Sequence, residues 1–125
     1  MSIPKDLMYT RSHEWLKLEG QSALFGITNY AQEKMGDIVF VNLPQEGDAA
    51  VAGESIADME SVKAVSDIYS PASGTVAAVN EEVLDTPNLI NSEPYETWLV
   101  KLDSITENEE LLTPEQYEQL LKEEE

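Results

Sequence analysis

Closely spaced glycine and proline residues divide the middle of this chain into windows that are too short for long helices. Gly47, Gly53, Pro71 and Gly74 mark turns. The runs around them are short, apolar and rich in β-branched residues, which favours strands. These runs are GDIVFVNLP (36–44), SGTVAAVN (73–80) and TWLVKLD (97–103). Many short strands separated by turns predict a mainly β domain, built as a small sandwich or barrel.

The first third of the chain adds a hairpin and a short helix to this pattern. Two apolar runs flank a turn at Gly20 in RSHEWLKLEGQSALFGIT (11–28), which is typical of a β-hairpin. A helix is predicted near 29–35, with Asn29 as its N-cap. Gln32 occupies the capping-box position and Gly36 marks the stop.

A second helix is predicted near 114–123. Thr113 can cap it, Pro114 fits the first helical position, and Gln116 can reach back to the cap. We expect this segment, 113–125, to pack on the rest of the domain as an appendage.

Length and charge narrow the class of protein. The chain has 125 residues, which predicts one domain over 1–125, and 42% of them are apolar, enough for a core. Its net charge of −18 repels phosphate backbones and anionic lipid headgroups, so neither nucleic acid nor a membrane is an expected partner. No apolar run is long enough to span a bilayer and no signal pattern opens the chain, which predicts a cytoplasmic protein.

Few residues are suited to metal binding or nucleophilic catalysis. The chain has no cysteine and one histidine, His13, which excludes thiolate and two-histidine zinc sites. No metal site is expected. A hydrolase that uses a pair of its 25 acidic residues is a remote alternative, because their abundance makes any chosen pair uninformative.

One lysine stands apart in the segment DMESVKAVSD (58–67). Lys63 is the only lysine or arginine between Lys34 and Lys101. Ile56, Met59 and Val62 fall at helical spacing, but the β-branched residues and the window between Gly53 and Pro71 favour two strands that meet at a tight turn near Lys63.

Such a turn makes Lys63 a candidate attachment point. The amine would project away from the backbone, and the small neighbours Ser61 and Ala64 would leave room for a modifying enzyme. The ordinary alternative is a surface lysine, which composition alone would favour.

Four segments carry a resemblance to a known family that covers nearly the whole chain. They are YTRSHEW (9–15), GITNYAQEKMGDIVFVNLP (26–44), ESVKAVSDIYSPASGTV (60–76) and NLINSEPYETWLVKL (88–102). Together they resemble the glycine cleavage system H proteins. Val62 separates this chain from two related carriers, because biotin carriers typically have Met there and lipoyl domains of 2-oxoacid dehydrogenases usually have Asp.

The resemblance implies a lipoyl-domain-like barrel-sandwich hybrid with lipoic acid covalently attached at Lys63. It implies that a lipoate ligase or lipoyl transferase recognises the residues around this lysine, Glu60, Ser61, Val62 and Ala64. It also implies a monomeric carrier that catalyses nothing by itself.

The same resemblance implies the partners. A pyridoxal-phosphate-dependent glycine decarboxylase, the P protein, would load an aminomethyl group, and an aminomethyltransferase, the T protein, would pass the one-carbon unit to tetrahydrofolate. Dihydrolipoamide dehydrogenase, the L protein, would restore the disulfide. An alternative is an H-like relay protein that donates lipoate to 2-oxoacid dehydrogenase complexes.

Three further residues match family positions that face the lipoyl arm. Ser12, Glu14 and Asp67 are expected to form a groove in which the loaded arm rests. Their carboxylates and hydroxyl would hold a cationic amine and shield it from water.

Overall fold

The computed structural model describes residues 3–108 and 110–124. Its strands are β1 (Met8–Tyr9), β2 (Glu14–Glu19), β3 (Ser22–Ile27), β4 (Ile38–Asn42), β5 (Ala49–Ala50), β6 (Ser55–Ser61), β7 (Val65–Tyr69), β8 (Ala72–Val79) and β9 (Val100–Asn108). Its helices are α1 (Asn29–Met35), α2 (Glu81–Asp85), α3 (Leu89–Ser92) and α4 (Pro114–Glu124).

The strands form two antiparallel sheets. The larger sheet has six strands in the order β1-β2-β3-β9-β8-β5, and the smaller has three in the order β4-β6-β7. The prediction of a mainly β fold with two helices near 29–35 and 114–123 is confirmed. A single domain over 1–125 stays a prediction, and residues 1, 2, 109 and 125 lie outside the described residues.

The main core takes side chains from the inner faces of both sheets. Phe25 and Leu102 come from the six-stranded sheet, and Val41 and Met59 come from the three-stranded sheet. All four are almost fully buried. The inner face of the smaller sheet is therefore fixed by packing, and its other face is left for solvent or a partner.

Helix α4 packs on a second apolar cluster. The rings of Tyr9 and Tyr117 stack with their centroids 4.6 Å apart. At the start of the helix, the Thr113 amide donates to Oε1 of Gln116 at 2.9 Å, and the Gln116 amide donates to Oγ1 of Thr113 at 3.2 Å. The predicted capping box is confirmed.

Helix α1 has the predicted bounds, but its N-cap lies one residue earlier than predicted. The prediction of Asn29 as N-cap is wrong, because Oγ1 of Thr28 accepts the bond from the Ala31 amide at 3.3 Å. The Gln32 side chain donates to Oδ1 of Asn29 at 2.7 Å instead of reaching back to the cap. Gly36 ends the helix with φ +81°, which confirms the predicted stop.

The short helices α2 and α3 were not predicted, and α3 supplies a bond network that holds α1 against β4. Nδ2 of Asn91 donates to Oε1 of Gln32 and to the Gly36 carbonyl, each at 2.9 Å. The Ile38 amide donates to Oδ1 of the same asparagine at 2.8 Å. One side chain thus fixes the end of α1 relative to the sheet that carries Lys63.

Candidate attachment site and groove

Lys63 lies in the turn of the β6–β7 hairpin, as predicted. The last strand pair joins Glu60 to Val65, and the Ser61 amide donates to the Ala64 carbonyl at 2.8 Å. Oγ of Ser61 accepts bonds from the amides of Lys63 and Ala64 at 3.3 and 3.1 Å. The serine hydroxyl therefore shapes the turn, while Lys63 contributes only its backbone to it.

The side chain of Lys63 is exposed. Among the described residues, its amine has no ion-pair or hydrogen-bond partner. The stem passes the end of α1, since a Cβ built on Gly36 would lie 3.4 Å from Cε of the lysine. The amine is thus free for chemistry, and the end of its stem lies beside Gly36, at the end of the helix that lines part of a groove.

The three residues expected to hold the arm line one groove. Ser12, Glu14 and Asp67 all contribute to a cavity of about 300 Å³ between β2, α1 and β7. Other parts of its wall are apolar, and these residues are Ile27, Ala31, Met35 and Met59. Lys34 and Glu124 add charge at the groove. This combination could hold an aliphatic chain that ends in a polar group.

Glu14 is the most constrained of the three. Its side chain is 2% exposed, and Oε1 accepts bonds from the hydroxyls of Thr10 at 2.6 Å and Ser12 at 2.5 Å. Oε2 accepts a longer bond from the Tyr69 amide at 3.4 Å. Burial raises the pKa of the Glu14 carboxyl, and the bonds from Ser12 and Thr10 oppose that rise.

Ser12 and Asp67 differ from Glu14 in their exposure to solvent. Both are exposed, although the Ser12 hydroxyl is tied to the buried carboxylate. Asp67 lies on β7, an edge strand of the three-stranded sheet, opposite Asp58. Of these two carboxylates of the groove, that of Glu14 is therefore enclosed and that of Asp67 is open to solvent.

Sequence reasoning missed two contributors to this site, Thr10 and His13. Thr10 both donates to the Glu14 carboxylate and accepts the Glu14 amide at 3.0 Å. His13 also lines the groove; its Nδ1 lies 2.9 Å from the Tyr117 hydroxyl and its Nε2 lies 3.2 Å from Oε1 of Glu124. The distance between residues 13 and 117 along the chain leaves no local signal for this contact.

The residues expected to guide a lipoylating enzyme surround Lys63. Val62 and Ala64 are exposed, and Glu60 and Ser61 are half-buried at the end of β6. They lie within one hairpin, where an enzyme that handles the amine would meet them together.

A larger cavity of about 390 Å³ shares Ser12 with the groove, and Lys63 lines neither of the two. Its two charged residues, Arg11 and Glu110, pair with each other at 2.9 Å.

No helix in the described part of the chain is long and apolar enough to cross a membrane. Within the same residues, no group of three potential ligands is placed to hold a metal ion.

Comparison with known proteins gives a consistent match. The model of the family described as "Glycine cleavage H-protein" matches residues 7–124. The glycine cleavage system H protein of Lachnoclostridium phytofermentans is 55% identical over 125 residues, covering 99% of this chain and 98% of the relative. That of Carboxydothermus hydrogenoformans is 52% identical, covering 98% of this chain and 96% of the relative.

A solved structure matches the fold at similar coverage. The crystal structure of a glycine cleavage system H protein from Mycobacterium marinum superposes with a TM-score of 0.91 and 40% sequence identity. The match covers 96% of this chain and 99% of that one.

Proposed function

The chain belongs to the glycine cleavage H-protein family, and from this premise we propose that it is a lipoyl carrier whose lipoate is joined to the amine of Lys63. The observation that carries the residue assignment is the free amine at the turn of the β6–β7 hairpin. A modifying enzyme can surround this amine without unfolding any element, because the turn is exposed and its neighbours are small or solvent-facing.

The residues around Lys63 suit such a group. When attached, lipoate supplies a disulfide–dithiol couple at the end of a long aliphatic arm. The end of the Lys63 stem lies beside Gly36 at the end of α1, and α1 provides Ala31 and Met35 to the apolar wall of the groove. The chain itself has no cysteine, so no thiol of its own could attack that disulfide.

The polar end of the groove suits a cationic amine. Glu14 supplies a buried carboxylate that is already oriented by two hydroxyls, and Asp67 supplies a second carboxylate at the edge. We assign Ser12, Glu14 and Asp67 as the resting place of the loaded arm, where the groove would restrict access of water to the carried group.

The chain acts as a carrier component of glycine cleavage. Within that system, we assign it the transfer of the aminomethyl group of glycine from the P protein to the T protein, and the L protein then reoxidises the arm. Lys63, Glu14 and Asp67 present and hold the group, and no residue of the chain is assigned a catalytic role. Tethering raises the local concentration of the group for each successive partner to the mM range.

The relay alternative uses the same lysine and differs only in the partner. The relatives that cover nearly the whole chain are named for glycine cleavage, which favours the carrier of that system. Glycine-dependent release of carbon dioxide by purified P protein and the lipoylated chain separates the two functions.

The decisive experiment is an intact mass measurement on protein produced with lipoate supplied. Wild type is expected to gain the mass of one lipoyl group, and Lys63→Arg is expected to gain none. Lys34→Arg is the matched control, because Lys34 is also exposed and lines the groove, and it should be modified like wild type. Modification of the Lys63→Arg protein would refute the assignment.

A further inference from the structure

Strand β4 carries an irregularity beside the lysine hairpin. Ile38 pairs with Ser61 and Phe40 pairs with Glu60, so Val39 is an extra residue without a partner position on β6. In a regular strand, side chains alternate between faces and one of two neighbours points inward. Here Val39 is 54% exposed and Phe40 is 49% exposed. The bulge therefore turns two consecutive apolar side chains toward solvent.

Two further exposed apolar side chains lie at the hairpin tip, and Glu60 stands between one of them and Phe40. Val62 is 79% exposed and Val65 is 70% exposed. Glu60 pairs with Phe40 on one side and with Val65 on the other, so the three lie in a row across the sheet. We call Val39, Phe40, Val62 and Val65 the hairpin strip.

The strip is a concentration of exposed apolar residues. It contains four of the eight large hydrophobic side chains that are exposed in the described part of the chain. Solvated apolar side chains scattered singly are normal, but a cluster beside a functional residue marks an interaction surface.

We propose that the hairpin strip docks the enzyme that attaches the lipoyl group to Lys63. The inference rests on the proposed function. An attaching enzyme has to bring the unmodified amine into its own active site, so its surface must close over the residues next to the lysine. Neighbouring strands are about 4.8 Å apart, which places Phe40 and Val65 within the area that such an enzyme covers. Partners that meet only the far end of the arm have no such requirement.

The charges around the strip define the surface that fits it. The acidic residues on the three strands are Asp58, Glu60 and Asp67, and Asp37 lies directly before β4. No lysine or arginine other than Lys63 lies between positions 34 and 101. The complementary surface is an apolar depression with a basic side chain opposite Glu60.

The size of the strip indicates a transient contact. Four side chains cover much less than the roughly 800 Å² per partner of a standard stable interface. A small apolar contact with charges at its edge suits an enzyme that must release its product after each modification.

The test measures lipoylation by a purified lipoate–protein ligase supplied with lipoate and ATP. The variant Val39→Thr/Phe40→Thr keeps residues that suit strands and removes the apolar contact of the bulge. We expect KM for the protein substrate to rise about tenfold with little change in kcat, since about 1.4 kcal/mol of binding free energy corresponds to a factor of ten. The single variant Phe40→Leu, which keeps an apolar side chain at this position, should have a KM close to that of wild type.

The matched control is Leu18→Thr/Val51→Thr, which removes two similarly exposed apolar side chains that lie outside the three-stranded sheet. Its KM should equal that of wild type. If the double strip variant does not fold, Phe40→Thr alone carries the test, with an expected rise of severalfold.

The outcomes separate the two proposals. A wild-type chain that remains unmodified overturns the lipoyl-carrier assignment and the docking inference with it. A wild-type chain that is modified normally, together with equal KM values for the strip and control variants, overturns the docking inference alone.

Discussion

The hairpin that carries Lys63 and the turn that leads into Glu14 place a charged side chain in opposite environments. Lys63 stands in solvent without a partner among the described residues. Glu14 is 2% exposed, and its carboxylate accepts bonds from Thr10, Ser12 and the Tyr69 amide. Both belong to the same proposed function, one as the origin of the arm and the other as its resting place.

The difference follows from what each group has to do. An amine that is to be acylated must be reachable, and water can solvate it until then. A carboxylate that is to hold a cation works better when it is fixed in advance and shielded, because electrostatic attraction is stronger where water is excluded. The hairpin therefore requires little internal bonding, whereas the turn before β2 requires several hydrogen bonds to keep a buried charge.

Removing Glu14 and Asp67, the two carboxylates assigned to hold the arm, should give the largest effect. In a Glu14→Ala/Asp67→Ala variant, we expect the isolated loaded protein to lose its aminomethyl group at least about tenfold faster. Hydrogen bonds to charged groups contribute about 1.5–3 kcal/mol, and about 1.4 kcal/mol corresponds to tenfold. The rate of spontaneous loss, measured without partner enzymes, checks this.

The control for this experiment is Glu54→Ala/Asp85→Ala, which removes two exposed acidic residues outside the groove. Equal rates of loss in the two double variants would show that the groove does not protect the loaded arm. Lys63 would then be the only residue assigned to the carrier function.

A substitution in each of the two regions should lower the free energy of unfolding by a different amount. Thr10→Val removes a buried hydroxyl that bonds both the carboxylate and the amide of Glu14, and should lower the free energy of unfolding by about 1–3 kcal/mol. Ser61→Ala removes the hydroxyl that bonds the amides of Lys63 and Ala64 in an exposed turn. Water can replace those bonds, so the loss should stay near 0.5 kcal/mol. Urea unfolding of both variants measures the difference, and equal losses would contradict it.

The pH dependence of stability should show the smallest effect. Burial raises the pKa of Glu14 in the folded chain, so the folded state keeps this proton over a pH range in which the unfolded chain has released it. The free energy of unfolding then falls as pH rises from about 4.5 through the folded pKa, by at most about 1.4 kcal/mol per pH unit for one proton.

Glu14→Gln removes this titration and keeps the shape of the side chain. The stability of the variant relative to wild type should therefore grow over that pH window and stay constant above it. Urea midpoints measured at several pH values for both proteins test this. A difference that does not change with pH would mean that the carboxyl titrates alike in both states.

Local signals allowed the sequence to predict α4 and the lysine hairpin. Thr113 and Gln116 bond within one helical turn, so a short stretch of sequence contains the whole interaction. The cap of α1 could not be chosen in this way, because Thr28 and Asn29 can both cap a helix. A distant contact favours Thr28, whose hydroxyl lies 2.6 Å from that of Tyr117 on α4.

The helices α2 and α3 were beyond local reasoning because they are only five and four residues long. Helices this short are not stable by themselves. They depend on tertiary bonds such as Asn80 Nδ2 to the Trp98 carbonyl at 2.8 Å and the Asn91 bonds to α1 and β4.

The groove was predictable only in part. Ser12 and Glu14 are two residues apart, and the resemblance to a family singled them out with Asp67. The burial of Glu14 depends on β7 and on Thr10, and its extent follows from how the sheets meet. The strand bulge at Val39 is also a result of pairing between β4 and β6, which the run of apolar residues in β4 does not reveal.

Gly36 lies between the lysine side chain and the wall of the groove. Its neighbour Met35 lines the groove, and the stem of Lys63 passes over Gly36 itself, where a Cβ would lie 3.4 Å from the lysine Cε. With φ at +81°, this backbone is strained for any residue with a side chain. One end of α1 therefore contacts the lysine side chain and supplies part of the groove wall, so the arm meets its resting surface close to the atom to which it is joined.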